Sequence, residues 1–298
     1  MESKLNFFRR KVSGFRSQGG LTLIELMIAL AVGSIVMLGA YSTYTLQSKA
    51  YVTQREVSKI QQNLRAASHV LAWDIHNSQR DTSPIRRYAF ENFAWVNGQP
   101  TLNYQSLRLD NDNDGIADTV QTIQYQIDDP DGNGRMGLYR NANPADPGGV
   151  AGFQLVADGV AAFGLAFAFD RDGDGMLERY NGDPDGRILW AVDTDGNGNL
   201  DAILDTNDDG VIDETDDTDG DNWITAADDG TGQLAGAVDF ERVRVVRVFL
   251  LAISERESTE NMVDNNTYTV GNRVIVPPNP PDRFKRRVLT FDVALRNY

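Results

Sequence analysis

The chain has no cysteine among its 298 residues and only two histidines, and these absences exclude several classes of protein. Without cysteine there is no disulfide scaffold, no thiolate metal site and no cysteine nucleophile. The histidines, His69 and His76, lie two turns apart on a predicted helix, too far for a shared metal site, so surface or packing roles are favoured. The sequence also lacks a G-x-S-x-G motif, a P-loop and a dinucleotide-binding motif. We therefore expect no enzymatic activity.

The net charge of −15 is concentrated in one part of the chain. Residues 170–229 hold twenty Asp and Glu against three Arg, a local charge of −17, so the remainder carries about +2. Such a concentration of carboxylates repels phosphate, and nucleic acid is therefore not an expected partner. Bound cations are expected instead.

The N-terminal region combines a basic segment with a long apolar run. Residues 1–20 contain five Lys and Arg against a single Glu, which favours a cytoplasmic location for that end. The run from Leu21 to Ala40 would span about 30 Å as a helix, enough to cross a bilayer, and no A-x-A cleavage site follows it. A single-pass anchor for an external domain explains most of this pattern. It does not explain Glu25, because a carboxylate costs about 2.5–3.5 kcal/mol at the middle of a bilayer.

The helical pattern continues beyond the apolar run. From Val57 to Ile75, apolar residues recur at three- and four-residue steps, while Gln, Lys and Arg fill the opposite face. Pro84 is a predicted stop. We predict one helix over residues 21–83, roughly sixty residues and about 85 Å long, whose first half is apolar and whose second half is amphipathic.

The stretch GGLTLIELMIALAVGS, which begins at Gly19, resembles the processing motif of type IV prepilins. The resemblance implies cleavage after Gly20 by a prepilin peptidase and N-methylation of Leu21, which stands where Phe is more usual. It also implies an assembly role for Glu25, whose carboxylate would pair with the α-amino group of a neighbouring subunit's Leu21. Opposite charges a few ångströms apart in an apolar bundle attract strongly, whereas either alone would be costly. The alternative is that Glu25 extends to the lipid headgroups.

Later segments are similar to minor pilins of the PilW type and, more loosely, to the J-type pseudopilin of type II secretion. The similar segments are residues 54–78, 243–256 and 286–297. PilW-like proteins often carry cysteines in the head domain, and this chain has none. The resemblance implies a type IV pilin-like fold, in which a long N-terminal helix packs on a mostly antiparallel β-sheet.

Beyond Pro84 the apolar pattern changes to a period of two, which is typical of strands. This pattern predicts strands over residues 122–127, 160–169, 242–251 and 288–295, and hence an α+β protein. The predicted organisation is a cleaved leader (1–20), the long helix (21–83), the first part of a head domain (84–169), an acidic insertion (170–229) and the C-terminal strands of the head (230–298).

The acidic insertion is a repeat with a period of twelve residues. Units begin at Asn181, Asp193, Asp205 and Asp217, and each contains an apolar residue at the same position: Ile188, Leu200, Ile212 and Ile224. A regular apolar residue argues against a merely solvated run of charge. The units follow the calcium-loop pattern D-x-[DN]-x-[DN]-G, in which alternate acidic side chains surround a tight turn. Because flanking helices are missing, the loops resemble dockerin or thrombospondin type 3 repeats more than true EF-hands.

We predict that Ca²⁺ binds several of these loops and folds the segment, with the number of ions left open. The unit at Asp205 matches the pattern best; in the unit at Asp217, Asn222 replaces the glycine. In the unit at Asp193 the last position is Leu204, so Asp205 would have to serve there. A disordered acidic linker is the alternative. The predicted ligands are Asp205, Asn207, Asp209, the Val211 carbonyl, Asp213 and Asp216; Asp217, Asp219, Asp221 and Asp228; Asp193, Asp195, Asn197 and Asp201; Asp170, Asp172, Asp174 and Glu178; and, in a separate loop at 110–118, Asp110, Asp112, Asp114 and Asp118.

The leading hypothesis is a minor pilin that primes the assembly of a type IV pilus or joins its tip complex. Its expected partners are other pilins and minor pilins, bound through the N-terminal helix, and the prepilin peptidase. It would sit in the inner membrane with its head in the periplasm and then move to the pilus at the cell surface. A J-type pseudopilin and a calcium-dependent tip adhesin are the alternatives.

Overall fold

The computed structural model describes residues 20, 22–77, 90–96, 99–109, 119–130, 132, 134–142, 152–183, 185–230, 234, 236–258, 263–276 and 278–295, with the backbone alone for the strands between 90 and 122. The chain divides into two compact units, Met1–Tyr51 and Val52–Tyr298. The predicted leader before Gly20, the predicted methylation position Leu21 and the predicted loop at 110–118 lie outside the described residues.

One long helix and a series of strands make up the described part of the chain, as the sequence predicts for an α+β protein. The elements are α1 (Leu23–Asn77), β1 (Phe90–Val96), β2 (Gln99–Leu109), β3 (Thr119–Asp128), β4 (Gly137–Asn141), β5 (Phe153–Asp158), β6 (Val160–Phe169), β7 (Ala191–Val192), β8 (Asn199–Leu200), β9 (Ala202–Ile203), β10 (Val238–Asp239), β11 (Val243–Ile253), β12 (Tyr268–Val270), β13 (Arg273–Ile275) and β14 (Arg286–Ala294). The four strands predicted from the period-two pattern coincide with β3, β6, β11 and β14.

In the first unit, α1 carries mainly apolar side chains, and these are exposed. Residues from Leu23 to Leu46 include large apolar side chains with more than half of their surface accessible, such as Leu38 at 69%. The helix is continuous through Gly33 and Gly39, where an added Cβ would meet no atom within 4 Å.

In the second unit, α1 packs one face against the strands. Ile60, Leu64, Ala67, Leu71 and Ile75 are buried, and they join residues of β3, β4, β6, β11 and β14 in one hydrophobic cluster. These are five of the six positions that the helical pattern assigned to the apolar face; the sixth, Val57, is half-buried.

The strands form two antiparallel five-stranded sheets, with the orders β1-β2-β3-β4-β5 and β14-β11-β6-β7-β9. Two short pairs, β8–β10 and β12–β13, complete the described strands. In the second sheet, side chains alternate between two buried faces. Phe163, Leu165 and Phe167 of β6 face the cluster that includes α1, whereas Ala162 and Ala166 face a second cluster.

The acidic segment and the β12–β13 hairpin cover this second face. Leu204, Ile224, Val270 and Val274 belong to the second cluster. The hairpin approaches β6 backbone to backbone, since a Cβ added at Gly164 would lie 2.6 Å from the Gly271 nitrogen. The acidic loops are therefore attached through apolar contacts to the sheet β14-β11-β6-β7-β9, which we call the central sheet.

Candidate functional site

The start of α1 carries the residues that the prepilin resemblance singles out. Thr22 precedes the first helical residue, and its hydroxyl oxygen accepts a hydrogen bond from the Glu25 N–H at 3.3 Å. In return, Glu25 Oε2 accepts hydrogen bonds from the Thr22 N–H and hydroxyl, each at 2.9 Å. This reciprocal arrangement is a capping box. This local role of Glu25 was not predicted from the sequence. A Thr three residues before a Glu, at the start of an apolar run, is the sequence signature of a capping box.

The helix that follows is long and apolar enough to cross a membrane by length and composition, and its apolar window is not buried. Glu25 lies in the first turn of this helix, and no other acidic residue occurs until Glu56. The exposed apolar surface and the capped carboxylate thus lie on one continuous element.

Four acidic loops of the second unit begin in the same way. Each starts with an Asp whose two carboxylate oxygens accept backbone N–H groups from its own loop. Asp205 accepts from the Asp209 N–H at 3.1 Å and from the Gly210 N–H at 2.9 Å. In the other three loops, one oxygen accepts from the residue three positions after the Asp and the other from the residue five positions after it, at 2.7–3.2 Å. The first residues of these loops are Asp170, Asp193 and Asp217. These bonds fix the orientation of the first carboxylate in every loop.

The residue five positions after that Asp has a positive φ in each loop. Gly175, Gly198 and Gly210 have φ of +87°, +88° and +89°, and Asn222 has φ of +72°. Asn adopts the left-handed region more readily than other residues with a Cβ. Asn222 therefore preserves the turn, and its N–H still donates to Asp217 at 2.8 Å.

The last two loops are closed by an Asp at the twelfth position. Asp216 is fully buried; its Oδ1 accepts from the Thr206 N–H at 2.7 Å and its Oδ2 from the Asp213 N–H at 2.9 Å. Asp228 makes the equivalent pair of bonds at 2.7 and 2.8 Å. Each closing carboxylate thus joins the first turn of its loop to the last.

The first and second loops are shorter and are closed at the ninth position. Asp201 accepts from the Thr194 N–H at 2.9 Å, and Glu178 accepts from the Arg171 N–H at 3.2 Å. Asp201, rather than Asp205, therefore closes the loop that begins at Asp193. Asp205 is engaged with the turn of its own loop.

Among the described residues, three groups of carboxylates have oxygens within 4.8 Å of one another. The loop from Asp205 is not one of them, although the sequence matches the calcium pattern best there. Its third position is the amide of Asn207, whose Nδ2 donates to Asp209 at 3.3 Å. The three groups are Asp170, Asp172 and Asp174; Asp193, Asp195 and Asp201; and Asp217, Asp219 and Asp221.

These oxygen-only groups could hold a metal ion, and oxygen donors are the ligands that Ca²⁺ and Mg²⁺ take. The electrostatics of the loops differ from one to the next. Burial raises the pKa of Asp193, Asp205 and Asp216 above the ordinary Asp range. Burial opposes ionisation of Asp170 and Asp228 too, but backbone N–H donors outweigh it and lower the pKa of both. The raised pKa of these three carboxyl groups means that the surrounding protein does not fully stabilise their charged form.

The apolar positions of the repeat are packed against the sheets. Leu200 and Ile224 are fully buried, and Ile188 and Ile212 are partly buried against the second cluster. Tyr180 is also buried, and its hydroxyl donates to the Asp205 carbonyl oxygen. In this structure the acidic segment is a packed part of the head, which argues against the interpretation as a linker.

A buried polar group on α1 was not predicted. Asp74 is 5% exposed and accepts hydrogen bonds from the Tyr125 hydroxyl and from Arg140, whose Nε lies 2.6 Å from Asp74 Oδ2. The signal is present in the sequence, because Asp74 lies next to Ile75 and three residues after Leu71, within the apolar face. This trio ties α1 to β3 and β4.

Other predicted residues take lesser roles or cannot be placed. His69 and His76 are both exposed, and His76 Nδ1 lies 3.0 Å from the Ala294 carbonyl oxygen. The weakly matching unit at Asn181 forms a 3-10 turn at Tyr180–Gly182. The predicted ligands of the separate loop, Asp110, Asp112, Asp114 and Asp118, lie outside the described residues.

Comparison with known proteins connects these features to a family. Residues 15–41 match the prokaryotic N-terminal methylation motif, and residues 187–297 match the family described as Type IV Pilus-assembly protein W, or PilW. The second match extends through most of the acidic segment. No curated protein matches the chain significantly. Among solved structures, a type IV-like pilin from Thermus thermophilus is similar over 80% of this chain and 96% of its own, with 13% identity and a TM-score of 0.36.

The N-terminal match contains Gly20, the capped Glu25 and the exposed apolar start of α1 up to Tyr41. The C-terminal match contains β11 and β14 of the central sheet. The two matches, together with the α+β fold and its long N-terminal helix, show that this chain is similar to type IV minor pilins.

Proposed function

We propose that the protein is a minor pilin, which is cleaved after Gly20, joins a type IV pilus through the first half of α1, and carries a head domain stabilised by Ca²⁺. Its work is then structural, as an assembly or tip subunit. The observation that carries the proposal is the apolar surface of α1 between Leu23 and Tyr41, which is exposed and begins directly after the processing motif.

An exposed apolar helix of this length must be covered by lipid or by other apolar helices. Before assembly the inner membrane would cover it, with the head in the periplasm. In a filament the same surface would contact the helices of neighbouring pilins. Both coverings would use the same surface of α1.

The geometry at Glu25 supports its proposed role in assembly. Both hydrogen bonds from Thr22 end on Oε2, and no described residue donates a hydrogen bond to Oε1. Oε1 is therefore the atom that could accept from the α-amino group of a neighbour's Leu21. The capping box would hold the carboxylate in place for this pairing, which reduces the entropy lost when subunits join.

Processing provides a direct test of this part of the proposal. Sheared surface filaments would be collected, and the N-terminus of the protein in them would be determined by mass spectrometry. We expect a chain that begins at methylated Leu21. A Gly20→Ala chain, the matched variant at the cleavage position, should stay in the membrane with its leader attached. An intact leader on wild-type chain in filaments would contradict the proposal.

The case for Ca²⁺ rests on the donor set and on its charge. Each of the three carboxylate groups offers oxygens alone, and their first carboxylates are already oriented by backbone N–H groups. Asp193, a member of one of these groups, is buried and has a raised pKa, so a bound cation would offset the cost of its charge. An extracellular calcium module typically binds in the submillimolar to millimolar range, about 10⁻⁴–10⁻³ M.

Thermal unfolding of the full-length chain in detergent tests the Ca²⁺ proposal. We expect a higher Tm in Ca²⁺ than in chelator, and a smaller shift in Mg²⁺, which dehydrates less readily. Asp221→Asn retains the oxygen that accepts from the Trp223 N–H but removes the charge, so it should reduce the Ca²⁺ shift. Asp229→Asn, the matched control outside the three groups, should leave the shift intact. Identical Tm values in Ca²⁺ and chelator would overturn the proposal.

A further inference from the structure

β14 forms an edge of the central sheet that no described strand pairs. The sheet has the order β14-β11-β6-β7-β9, so β14 has β11 on one side only. The pairing with β11 is antiparallel and regular, without a bulge, over the nine residues of β14. β14 also contains no proline. Proteins protect edge strands by bulges, prolines, short length or charged side chains, and of these β14 has only charged side chains, at Arg286, Arg287 and Asp292.

The register identifies which backbone groups face outward. The Ser254 N–H donates to the Lys285 carbonyl oxygen at 2.8 Å, and the Leu295 N–H donates to the Arg244 carbonyl oxygen at 2.9 Å. Because hydrogen bonds alternate along an antiparallel pair, the odd-numbered residues of β14 bond to β11 and the even-numbered residues turn their N–H and C=O groups away from it. The outward-facing residues are Arg286, Val288, Thr290, Asp292 and Ala294. The Ala294 carbonyl oxygen already has a partner in His76 Nδ1 at 3.0 Å, so the free part of the edge runs from Arg286 to Asp292.

Side chains beside this edge are incompletely covered. Leu289 and Phe291 pack against the cluster that includes α1, yet each is only half-buried. Covering them further would remove apolar surface from water. A strand added at this edge would place its own side chains next to these two.

The end of the edge nearest Arg286 is basic. Arg283 and Arg287 are exposed, and neither has an ion pair with another described residue. They line a groove of about 310 Å³ whose apolar residues include Val57 and Phe284. The groove, which Asp264 also lines, thus combines apolar contacts with two arginines that pair with no acidic side chain among the described residues. This combination suits an acidic residue followed by an extended apolar segment.

We propose that an extended segment of a neighbouring pilin subunit adds to the sheet as a strand along β14, with a carboxylate seated between Arg283 and Arg287. Backbone hydrogen bonds to the outward-facing groups would supply most of the contact, as in other cases of strand addition. The side chains on the α1 side would be apolar, to cover Leu289 and Phe291. This inference rests on the proposed function, since that function supplies the neighbouring subunits.

A proline at Thr290 tests the proposal, because it removes an outward-facing N–H and leaves the β11–β14 ladder intact. Thr290→Ala is the matched control, as it retains the N–H. Both full-length variants should melt like wild type in detergent, while the amount of the proline variant in sheared filaments should fall at least tenfold below that of the alanine variant. Equal incorporation of two equally stable variants would overturn the strand-addition proposal.

Hydrogen exchange provides a second measurement that needs no variant. In the detergent-solubilised wild-type chain, the even-numbered amides of β14 should exchange fast and the odd-numbered ones slowly. In isolated filaments both sets should be slow. Fast even-numbered amides in filaments would refute strand addition, and slow ones in the isolated chain would show that a segment of this chain already covers the edge. Absence of the wild-type chain from filaments would overturn the proposed function as well, before any variant is compared.

Discussion

The two halves of α1 adopt the same conformation but are stabilised in different ways. In residues 23–51 the apolar side chains are exposed, whereas in residues 52–77 five apolar side chains are buried against the strands of the same unit. The sequence differs accordingly, because the first half begins with a run that is apolar on nearly all sides up to Tyr41, whereas the second half has one apolar face. The comparison teaches that the second half is a structural part of the head, and that the first half depends on molecules outside this chain.

The largest effect on folding is expected from Leu71 in the second half. Leu71 is fully buried in the cluster between α1 and the sheets. Leu71→Ala should lower the free energy of unfolding of the head by about 2–5 kcal/mol, because it removes apolar contacts and leaves a cavity. Denaturant unfolding in detergent measures this value. Leu38→Ala, the same change in the exposed half, should leave it unchanged, and equal losses for the two variants would remove the distinction between the halves.

A somewhat smaller effect is expected from Asp74, the buried carboxylate on the same face. Asp74→Ala leaves the Arg140 guanidinium and the Tyr125 hydroxyl without their shared acceptor, and should cost about 3 kcal/mol. The Asp74 ion pair can be compared with the ion pair between Arg247 and Asp292, in which the carboxylate is more exposed. Asp292→Ala should cost at most about 1 kcal/mol. The same unfolding experiment measures both, and a loss for Asp74→Ala as small as that for Asp292→Ala would show that the trio is dispensable.

Much of this structure follows from the sequence by simple periodicity. The helical pattern from Val57 to Ile75 predicted the buried face, and the period-two segments predicted β3, β6, β11 and β14. Short-range patterns are readable because each residue's direction is set by its own element. The processing motif was equally readable, since its residues are consecutive.

The features that the sequence did not predict depend on contacts between segments that are distant along the chain. The partners of Asp74 lie on β3 and β4, far along the chain, and only their proximity in the fold makes the carboxylate tolerable in a core. The twelve-residue period suggested equivalent units, but the unit at Asn181 forms a 3-10 turn and a loop outside the period begins at Asp170. The four loops also have two different closing positions. Glu178 and Asp201 close their loops at the ninth position because the twelfth is occupied by Asn181 and Leu204, which cannot supply a carboxylate.

The central claim is that the first half of α1 assembles with other pilins through Glu25. Glu25→Gln tests it most directly, because the amide oxygen can still accept from Thr22 in the capping box while the negative charge is lost. The measurement is the amount of the protein in sheared surface filaments from a strain that expresses only the variant. We predict a loss of at least tenfold relative to wild type, with the Tm of the head unchanged. Wild-type incorporation of the Gln variant would contradict the account.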